Sequence, residues 1–327
     1  MKVIIPVAGA GTRLRPHTHT TPKVLISVAG KPMIGHILDQ LVGLPIDQIV
    51  MVVGQMGDQI KEYVDGNYKF KVRYIVQQEA KGLADAVYLT REAVKKDDAL
   101  IILGDTIFST DFKKLLSKKT SQIGVKEVSD PRRFGVVEHL HGKITKLVEK
   151  PEHPQSNLAI VGIYLMKDMP KLYSAIGTLI AKKIKTKGEY QLTDALQLLI
   201  DRGQTMETFT VGGWYDCGKP ETLLDTNRQL LDLHSRKSGK KKIKGVVINN
   251  PVSIDPSARI EKSVIGPYVS VAAGSHVKNA IISDTIIGKN AYLESIMLQK
   301  SIIGDNAVVK GKQRKLSVGD GSEVDLS

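Results

Sequence analysis

Short apolar runs that alternate with segments of helical spacing most tightly constrain the fold of this chain. Three apolar runs rich in β-branched residues show no helical period and predict buried strands: Val3–Val7, Gln48–Gly54 and Ala99–Gly104. Val72–Gln77 is also strand-like. Helical spacing predicts helices at Met33–Leu44, from Gln59 to Tyr63, and at Gly82–Val94. This alternation predicts parallel crossovers and a doubly wound, Rossmann-like α/β sheet. In such a sheet, ligands bind beyond the carboxyl ends of the strands.

A glycine turn follows the first predicted strand. Gly9-Ala10-Gly11 comes directly after the apolar run, Arg13 lies two residues later, and Lys23 lies ten residues beyond Arg13. Glycine lets backbone N–H groups approach a ligand closely, and a concavity of such groups suits phosphate oxygens. Two fixed cations add charge stabilisation, so the segment predicts a polyphosphate site.

Two familiar nucleotide motifs do not fit this turn. A dinucleotide fingerprint needs a third glycine where Leu14 stands, and no acidic residue ends a second strand at the expected distance. The P-loop pattern G-x-x-x-x-G-K-[ST] is also absent from the turn.

A longer pattern contains the turn. The segment from Gly9 to Lys23 reads G-x-G-T-R-x-x-P-x-T-x-x-x-P-K without a gap. This pattern resembles the signature of the sugar-1-phosphate nucleotidyltransferases, also called nucleotide-sugar pyrophosphorylases. The resemblance implies that Arg13 and Lys23 are catalytic and that Gly9, Ala10, Gly11 and Thr12 contact the nucleotide.

Composition limits the other classes of protein. The chain has 327 residues, 42% hydrophobic and 25% charged, which is ordinary for a globular protein of two domains. It contains no apolar run of the roughly 18 residues that a membrane span needs, and its first residues predict a strand rather than a signal peptide. Cys217 is its only cysteine, which excludes an internal disulfide and fits a cytoplasmic protein.

The net charge of +13 favours anionic partners. The densest basic run, residues 236–244, has no aromatic residue for base stacking and is spaced by Ser and Gly. It predicts a solvated linker at 236–245 rather than a nucleic-acid site. We therefore expect a catalytic domain at 1–235 and a second domain at 246–327, with no nucleic-acid or membrane partner.

Short repeats follow the linker. Ser263-Val-Ile-Gly266, Thr285-Ile-Ile-Gly288 and Ser301-Ile-Ile-Gly304 share one pattern, and Ile254 and Ile260 lie six residues apart. They resemble hexapeptide repeats, which form a short left-handed parallel β-helix. We expect three or four coils, which need capping or packing for stability, and we expect this tail to mediate homo-oligomerisation.

Two carboxylates are candidate ligands of Mg²⁺, a hard cation that prefers oxygen. Asp105 ends the fourth predicted strand, and Asp216 lies in the Gly213-Trp-Tyr-Asp-Cys-Gly218 segment. The resemblance implies that these two residues jointly hold the metal and are catalytic. Cys217 is expected to be a buried neighbour rather than a nucleophile.

The base and the sugar phosphate have separate motifs. Gln77 with Gly82-Leu-Ala-Asp-Ala86 resembles the family's base-binding pattern, and a glutamine amide has a donor and an acceptor for the imide of thymine or uracil. The resemblance further implies a sugar-phosphate site formed by Gly135, Glu149, Lys150, Tyr164 and Lys187. Relatives that bind thymidine nucleotides often have Arg at the position of Lys187, and Lys lacks its bidentate fork.

The resemblance implies transfer of a nucleoside monophosphate from dTTP to glucose-1-phosphate, with Mg²⁺ and release of pyrophosphate. A UTP-dependent uridylyltransferase is the alternative, because uracil and thymine have the same Watson–Crick edge. An acyltransferase would need a longer β-helix and a basic histidine, whereas His276 is the only histidine after residue 234. A non-catalytic binding protein is disfavoured by the intact charged motifs.

Overall fold

The computed structural model describes residues 1–235 and 243–312, and their contacts divide the chain into two units. The first unit contains Met1–Ile26 and Lys31–Thr226. The second contains Ser27–Gly30 and the described chain from Asn227 onward. Most of the predicted linker at 236–245, and the last 15 residues of the predicted second domain, lie outside the described residues.

Strands and helices alternate through the first 235 residues. The strands are β1 (Lys2–Pro6), β2 (Ser27–Val28), β3 (Lys31–Pro32), β4 (Gln48–Val53), β5 (Val72–Val76), β6 (Ala99–Ile102), β7 (Thr106–Ser109), β8 (Ser121–Glu127), β9 (Gly135–Leu140), β10 (Lys143–Glu149), β11 (Leu158–Met166), β12 (Met206–Thr210) and β13 (Gly213–Asp216). The helices are α1 (Met33–Leu41), α2 (Gly57–Asn67), α3 (Leu83–Leu89), α4 (Arg91–Val94), α5 (Phe112–Leu116), α6 (Met169–Ala181), α7 (Leu192–Asp201) and α8 (Pro220–Ser235). Three single 3₁₀ turns lie at Thr12–Leu14, His17–His19 and Lys23–Leu25.

The main sheet of the first unit is mixed. Its strand order is β5-β4-β1-β6-β11-β8-β12-β10-β9. The four strands predicted from sequence, β1, β4, β5 and β6, pair in parallel. From β11 onward most pairings are antiparallel, and β8 with β12 is the parallel exception. The sheet is therefore a mixed α/β sheet in which the predicted parallel strands form one side.

Hydrophobic side chains cover both faces of this sheet. Along β1, Ile4 belongs to one buried cluster, whereas Val3 and Ile5 belong to another, because neighbouring residues of a strand face opposite sides. The cluster with Ile4 includes residues of α3, α6 and α7, and the cluster with Val3 and Ile5 includes residues of α1 and α2. Helices on both faces leave the strand ends at the rim of the sheet as the place where ligands have access.

The predicted single helix at Gly82–Val94 is two helices. α3 ends at Leu89 and α4 begins at Arg91, with Thr90 between them. The buried Thr90 hydroxyl donates to the carbonyl of Val87 at 2.6 Å, so the side chain competes with the helical hydrogen bonds of the backbone. A threonine inside an apolar period gave no sign of this break.

From Val247 to Lys310, the second unit forms three parallel four-stranded sheets. Its strands are β14 (Val247–Ile248), β15 (Val252–Ile254), β16 (Arg259–Glu261), β17 (Val264–Ile265), β18 (Val269–Val271), β19 (His276–Lys278), β20 (Ile281–Ser283), β21 (Thr285–Ile287), β22 (Tyr292–Glu294), β23 (Met297–Gln299), β24 (Ile302–Ile303) and β25 (Val308–Lys310). Every third strand joins the same sheet: β14-β17-β20-β23, β15-β18-β21-β24 and β16-β19-β22-β25. This arrangement is typical of a parallel β-helix.

Inward residues recur every five or six positions in this unit. Eight of the eleven residues in its buried hydrophobic cluster follow this spacing: Ile254, Ile260, Ile265, Val271, Val277, Ile282, Ile287 and Leu293. The spacing is less regular than a strict hexapeptide repeat, and the three predicted tetrapeptides are not equivalent. The Ser263 repeat contributes to the sheet of β17, whereas the Thr285 and Ser301 repeats contribute to the sheet of β21 and β24.

A buried asparagine joins distant segments of the second unit. Asn227 is fully buried, and its Oδ1 accepts from the backbone N–H of Ala29 at 2.9 Å and from the hydroxyl of Ser270 at 2.6 Å. Its Nδ2 donates to the carbonyl of Tyr268 at 3.1 Å. These bonds give the buried amide of Asn227 its hydrogen-bond partners. The bond from Ala29 also links Ser27–Gly30 to the rest of this unit.

None of the helices within residues 1–235 and 243–312 combines the length and apolar character required to cross a bilayer.

Candidate active site

The glycine turn after β1 folds back on its own 3₁₀ segments. Gly11 has φ +61°, and a Cβ there would lie 2.9 Å from the side chain of Thr18 and 3.0 Å from that of Lys23. The hydroxyl of Thr18 donates to the carbonyl of Gly11 at 2.9 Å. A Cβ at Gly9 would contact no protein atom within 4 Å. The turn thus leaves open space at Gly9, as close approach of a ligand to the backbone requires.

Lys23 and Asp105 form an ion pair at this rim. Lys23 Nζ lies 2.7 Å from Asp105 Oδ2, and the lysine side chain is only 8% exposed. Burial raises the pKa of Asp105, but the charge and hydrogen bond of Lys23 outweigh it and hold that pKa below the ordinary value. Asp105 is therefore ionised at neutral pH, and much of the charge of Lys23 is already compensated.

The second predicted carboxylate lies beside the first. β7 and β13 pair antiparallel, which places Asp216 opposite Thr106, the residue after Asp105. Asp216 Oδ1 accepts from the backbone N–H of Gly218 at 2.9 Å, and Oδ2 lies 4.0 Å from Arg133 Nη2. A Cβ at Gly218 would lie 3.3 Å from Arg13 Nη2. Two guanidinium groups therefore flank the Asp216 segment.

A strongly basic cavity of about 520 Å³ lies in the first unit. Its lining contains five cationic side chains and one acidic one, in the set Arg13, Arg132, Arg133, Lys150, Pro151, Glu152 and Lys187. The structure thus brings together Arg13, Lys150 and Lys187, which the sequence motifs predicted from separate segments. Arg132 and Arg133 were not predicted, although they precede the predicted Gly135 by only three and two residues.

A second cavity of about 380 Å³ shares Lys150 with the first. Seven predicted site residues line it: Gly9, Lys23, Gln77, Gly82, Asp105, Glu149 and Lys150. A third cavity of about 410 Å³ on the glycine turn includes Gly9, Ala10 and Gln77 in its lining. Residues predicted for the nucleotide and for the sugar phosphate therefore meet at one rim of the sheet.

Other predicted residues lie near the cavities without lining them. These are Gly11, Thr12, Gly135, Tyr164 and Asp216. A Cβ at Gly135 would lie 3.1 Å from Glu149 Oε2, so this glycine gives the glutamate its space. The ring of Tyr164 is buried in the core; burial and the charge of Glu149 raise the pKa of its hydroxyl.

Glu149 is fixed by a residue that the sequence did not predict. The Thr193 hydroxyl donates to Glu149 Oε2 at 2.6 Å, and Lys150 Nζ lies 3.3 Å from Oε1. The available signal was the nearby predicted residue Lys187, which lies six residues before Thr193. The Glu149 side chain is 10% exposed, so its orientation is set before any ligand arrives.

The aromatic neighbours of Asp216 form a small cluster. The rings of Phe134 and Trp214 meet edge to face with centroids 4.7 Å apart. The indole N–H of Trp214 is buried and has no hydrogen-bond partner among the described residues. Cys217 is fully buried, and burial raises the pKa of its thiol to about 12, which agrees with the predicted role of a packing residue.

The nucleotidyl transferase family model matches residues 2–232 of this chain. The match covers more than half of the chain and includes the residues that line all three cavities. The chain belongs to the nucleotidyl transferase family.

Individual relatives of this nucleotidyltransferase match over long stretches. A glucose-1-phosphate thymidylyltransferase of Streptomyces griseus is 30% identical over 359 aligned positions that cover 100% of both chains. A UTP–glucose-1-phosphate uridylyltransferase of Haloferax volcanii is 35% identical and covers 70% of this chain and 96% of its own. A solved structure from Bacillus anthracis, described as a glucose-1-phosphate thymidylyltransferase in complex with sucrose, has a TM-score of 0.61. It is 33% identical and covers 74% of this chain and 98% of its own.

The carboxylates of the nucleotidyltransferase suit a divalent cation. Asp216 on β13 and Asp105, the residue just before the paired strand β7, present hard oxygen ligands. Within residues 1–235 and 243–312, no group of three or more His, Cys, Asp or Glu is arranged to hold a metal alone. Two carboxylates completed by substrate phosphates and water fit Mg²⁺, which is commonly held in this way.

Proposed function

We propose that this nucleotidyltransferase transfers a nucleoside monophosphate from dTTP to glucose-1-phosphate and releases pyrophosphate. The observation that carries the proposal is the pair of cavities that share Lys150: one is strongly basic, and the other contains Gln77, Gly82 and the Lys23–Asp105 pair. A reaction between two phosphate anions needs such a site, because their mutual repulsion must be offset while they are aligned.

The chemical step is an in-line displacement. An oxygen of the sugar phosphate forms a bond to the α-phosphorus, and the bond from that phosphorus to the bridging oxygen breaks. The electron pair of the broken bond leaves with pyrophosphate. Since a phosphate monoester is already anionic at neutral pH, no proton has to be removed and no general base is required.

We assign the cations of the site to three positions. Arg13 stabilises the pyrophosphate leaving group, Lys23 contacts the nucleotide phosphates, and Lys150 with Lys187 holds the sugar phosphate. The half-exposed Lys150 and Lys187 pair with Glu149 at 3.3 Å and with Glu152 at 3.7 Å, and a phosphate can displace or join these glutamates.

The remaining predicted residues contact the nucleotide, its base and the sugar. Backbone groups of Gly9, Ala10, Gly11 and Thr12 would contact the nucleotide, and Gln77 and Gly82 the base. On the sugar side, the Glu149 carboxylate accepts a hydrogen bond from Thr193 and lies close to Gly135 and Tyr164. We assign Gly135, Glu149 and Tyr164 to the sugar.

We propose Mg²⁺ as the cofactor, held by Asp105 and Asp216. When bound, it would neutralise phosphate charge between the two substrates. Neighbouring residues set the charge and orientation of the two carboxylates: Lys23 keeps Asp105 ionised, and the Gly218 N–H orients Asp216.

A uridylyltransferase acting on UTP is the second candidate. The relative from Haloferax volcanii carries that activity in its name and is 35% identical to this chain. We favour dTTP because the alignment with the thymidylyltransferase of Streptomyces griseus covers the whole length of this chain and of that relative.

We propose that residues 1–235 form the catalytic domain, 236–245 a basic linker and 246–327 a left-handed parallel β-helix. The family match that ends at residue 232 supports the end of the catalytic domain, and the inward spacing of five or six residues between Ile254 and Leu293 supports the β-helix. Residues 236–242 and 313–327 lie outside the described residues. We propose a homo-oligomer formed through an exposed apolar ladder of this unit. Val247, Val264, Ile281 and Met297 stand in register on adjacent strands, and Val247, Ile281 and Met297 are 57%, 49% and 74% exposed.

The test is a matrix of pyrophosphate-release assays with dTTP, UTP, CTP, ATP and GTP against several sugar-1-phosphates, with and without EDTA. We expect the highest kcat/KM with dTTP and glucose-1-phosphate, and loss of turnover on chelation that added Mg²⁺ restores. A preference for UTP would favour the second candidate. Absence of pyrophosphate release with every pair would overturn the proposed function.

A further inference from the structure

The amide of Gln77 is oriented by two groups that can only accept hydrogen bonds. Its Nε2 lies 2.7 Å from Asp85 Oδ2 and 3.3 Å from the carbonyl oxygen of Gly82. A carboxylate and a backbone carbonyl have no proton to donate, so the nitrogen of the amide must face them. The opposite orientation would bring the amide oxygen against two acceptors.

The amide oxygen is consequently the only part of this side chain left for a ligand. Gln77 Oε1 accepts no hydrogen bond from the described residues, and it does not belong to their buried atoms that lack a partner. The oxygen is therefore accessible, although the residue as a whole is only 8% exposed. Because Gln77 lines the second and third cavities, this acceptor borders the space proposed for the base.

This geometry narrows the expectation from sequence. A free glutamine amide has both a donor and an acceptor, but here both amide protons are directed at Asp85 and Gly82. An acceptor alone pairs with the ring N3–H of thymine or uracil. It opposes the N3 lone pair of cytosine, which would leave two acceptors in contact and without protons.

Asp85 is placed to hold this orientation without touching the ligand. It lies in the first turn of α3, where a carboxylate is favoured by the helix N-terminus. It is half-buried, lines none of the three cavities and forms the shorter of the two bonds to the amide. We propose that Asp85 is a positioning residue that sets base selectivity by fixing the Gln77 amide with its oxygen toward the base. This inference rests on the proposed nucleotide site.

The test compares Asp85→Leu and Asp85→Asn with the wild-type protein, using dTTP and CTP. Leucine removes the closer acceptor at similar volume, so that only the 3.3 Å contact with the Gly82 carbonyl still holds the amide. The amide can then turn and present its N–H groups to cytosine. We expect the ratio of kcat/KM for dTTP over CTP to fall at least about tenfold in Asp85→Leu. Asparagine retains an acceptor oxygen and should give an intermediate ratio, while KM for the sugar phosphate stays unchanged in both variants.

Asp58→Leu is the matched control, because Asp58 is an exposed acidic residue in the first turn of α2. It should keep the wild-type ratio. If Asp85→Leu slows dTTP and CTP equally and leaves the ratio unchanged, Asp85 has only a structural role and the inference is wrong.

Equilibrium binding of dTTP and CTP, measured by calorimetry on the same proteins, separates this inference from the proposed function. A wild-type protein that prefers dTTP in binding, loses that preference in Asp85→Leu and yet releases no pyrophosphate would retain the inference and overturn the function. Turnover that discriminates dTTP from CTP equally in the wild-type protein and in all variants would retain the proposed function and overturn the inference about Asp85. A wild-type protein that binds neither nucleotide would contradict both.

Discussion

At the scale of single residues, the cations of the site differ in how far their charge is already compensated. Lys23 is paired with Asp105, Lys150 with Glu149 and Lys187 with Glu152. Arg13 has no carboxylate within ion-pair distance among the described residues, although it lines the basic cavity. Its full charge is therefore available to an incoming phosphate.

Replacing Arg13 with alanine should have the largest effect among these cations. Loss of a donor that stabilises transition-state charge costs about 10²–10³ in rate, so kcat should fall by roughly that factor. Steady-state pyrophosphate release measures it, with Arg73→Ala as control, since Arg73 is exposed on β5. Near wild-type turnover of Arg13→Ala would contradict the leaving-group role.

Arg132 and Arg133 are adjacent arginines with different partners. Arg132 forms two hydrogen bonds of 2.8 Å to Asp130, whereas Arg133 Nη2 lies 4.0 Å from Asp216. We expect Arg133→Ala to lower kcat/KM about tenfold, since it removes a charge beside the proposed metal ligand. Arg132→Ala should have a smaller effect in the same assay. A larger loss in Arg132→Ala would reverse this assignment.

The only cysteine should be inert in the folded protein. Cys217 is fully buried and its thiol has a raised pKa, so a thiol reagent has neither access nor thiolate. Ellman's reagent should release less than about 0.1 equivalent of chromophore before unfolding and about one equivalent in urea. Rapid labelling of native protein would show that the strand carrying Asp216 opens.

At the scale of elements, one glycine connects the base site to the segment before α7. Gly82 has φ +113°, and a Cβ there would lie 2.5 Å from the carbonyl oxygen of Tyr190. The Tyr190 carbonyl also accepts from the backbone N–H of Ala84, so this contact sets the start of α3. Neither the strained φ nor the close approach tolerates a side chain.

Gly82→Ala should destabilise the protein more than Gly203→Ala. Gly203 also has a positive φ, +83°, but a Cβ there would meet no atom within 4 Å. The control therefore carries backbone strain of about 1–2 kcal/mol, while Gly82→Ala adds a steric clash of about 1–3 kcal/mol. Urea unfolding would measure both. Equal midpoints for the two variants would show that Tyr190 moves away freely.

The elements themselves were predictable where their signals are local. The runs that became β1, β4 and β6 are continuous and apolar, as strands covered on both faces require, whereas the edge strand β5 contains the exposed Arg73. The break at Thr90 was not predictable, because it depends on the hydrogen bond from the Thr90 hydroxyl to the Val87 carbonyl, and the residue type does not reveal that bond. The three tetrapeptide repeats have similar sequences but do not all belong to the same sheet. The reason is that inward residues of this unit are five as well as six positions apart, so equal sequence patterns need not recur at equal positions of the coil.

At the scale of the whole molecule, the apolar ladder gives the oligomer proposal a direct test. Ile281→Glu and Met297→Glu each place a charge in the ladder that we propose a second copy covers, and this should favour the monomer. Sedimentation velocity of the full-length variants would measure the change in mass. Lys300→Glu is the control, because Lys300 is exposed, and it should leave the sedimenting mass unchanged.

A wild-type protein that already sediments as a monomer would contradict the proposed oligomer. An oligomer that resists both ladder substitutions would contradict the ladder as its interface.

The sequence by itself determined the family, the candidate residues and the local strands, because each of these is carried by contiguous chemistry such as the Gly9–Lys23 segment. Only the tertiary structure decided which charges meet. It paired Lys23 with Asp105, set Asp216 beside them through β7 and β13, and directed the amide of Gln77 at Asp85. These contacts depend on strand order and register across distant segments, and no local pattern of residues encodes them.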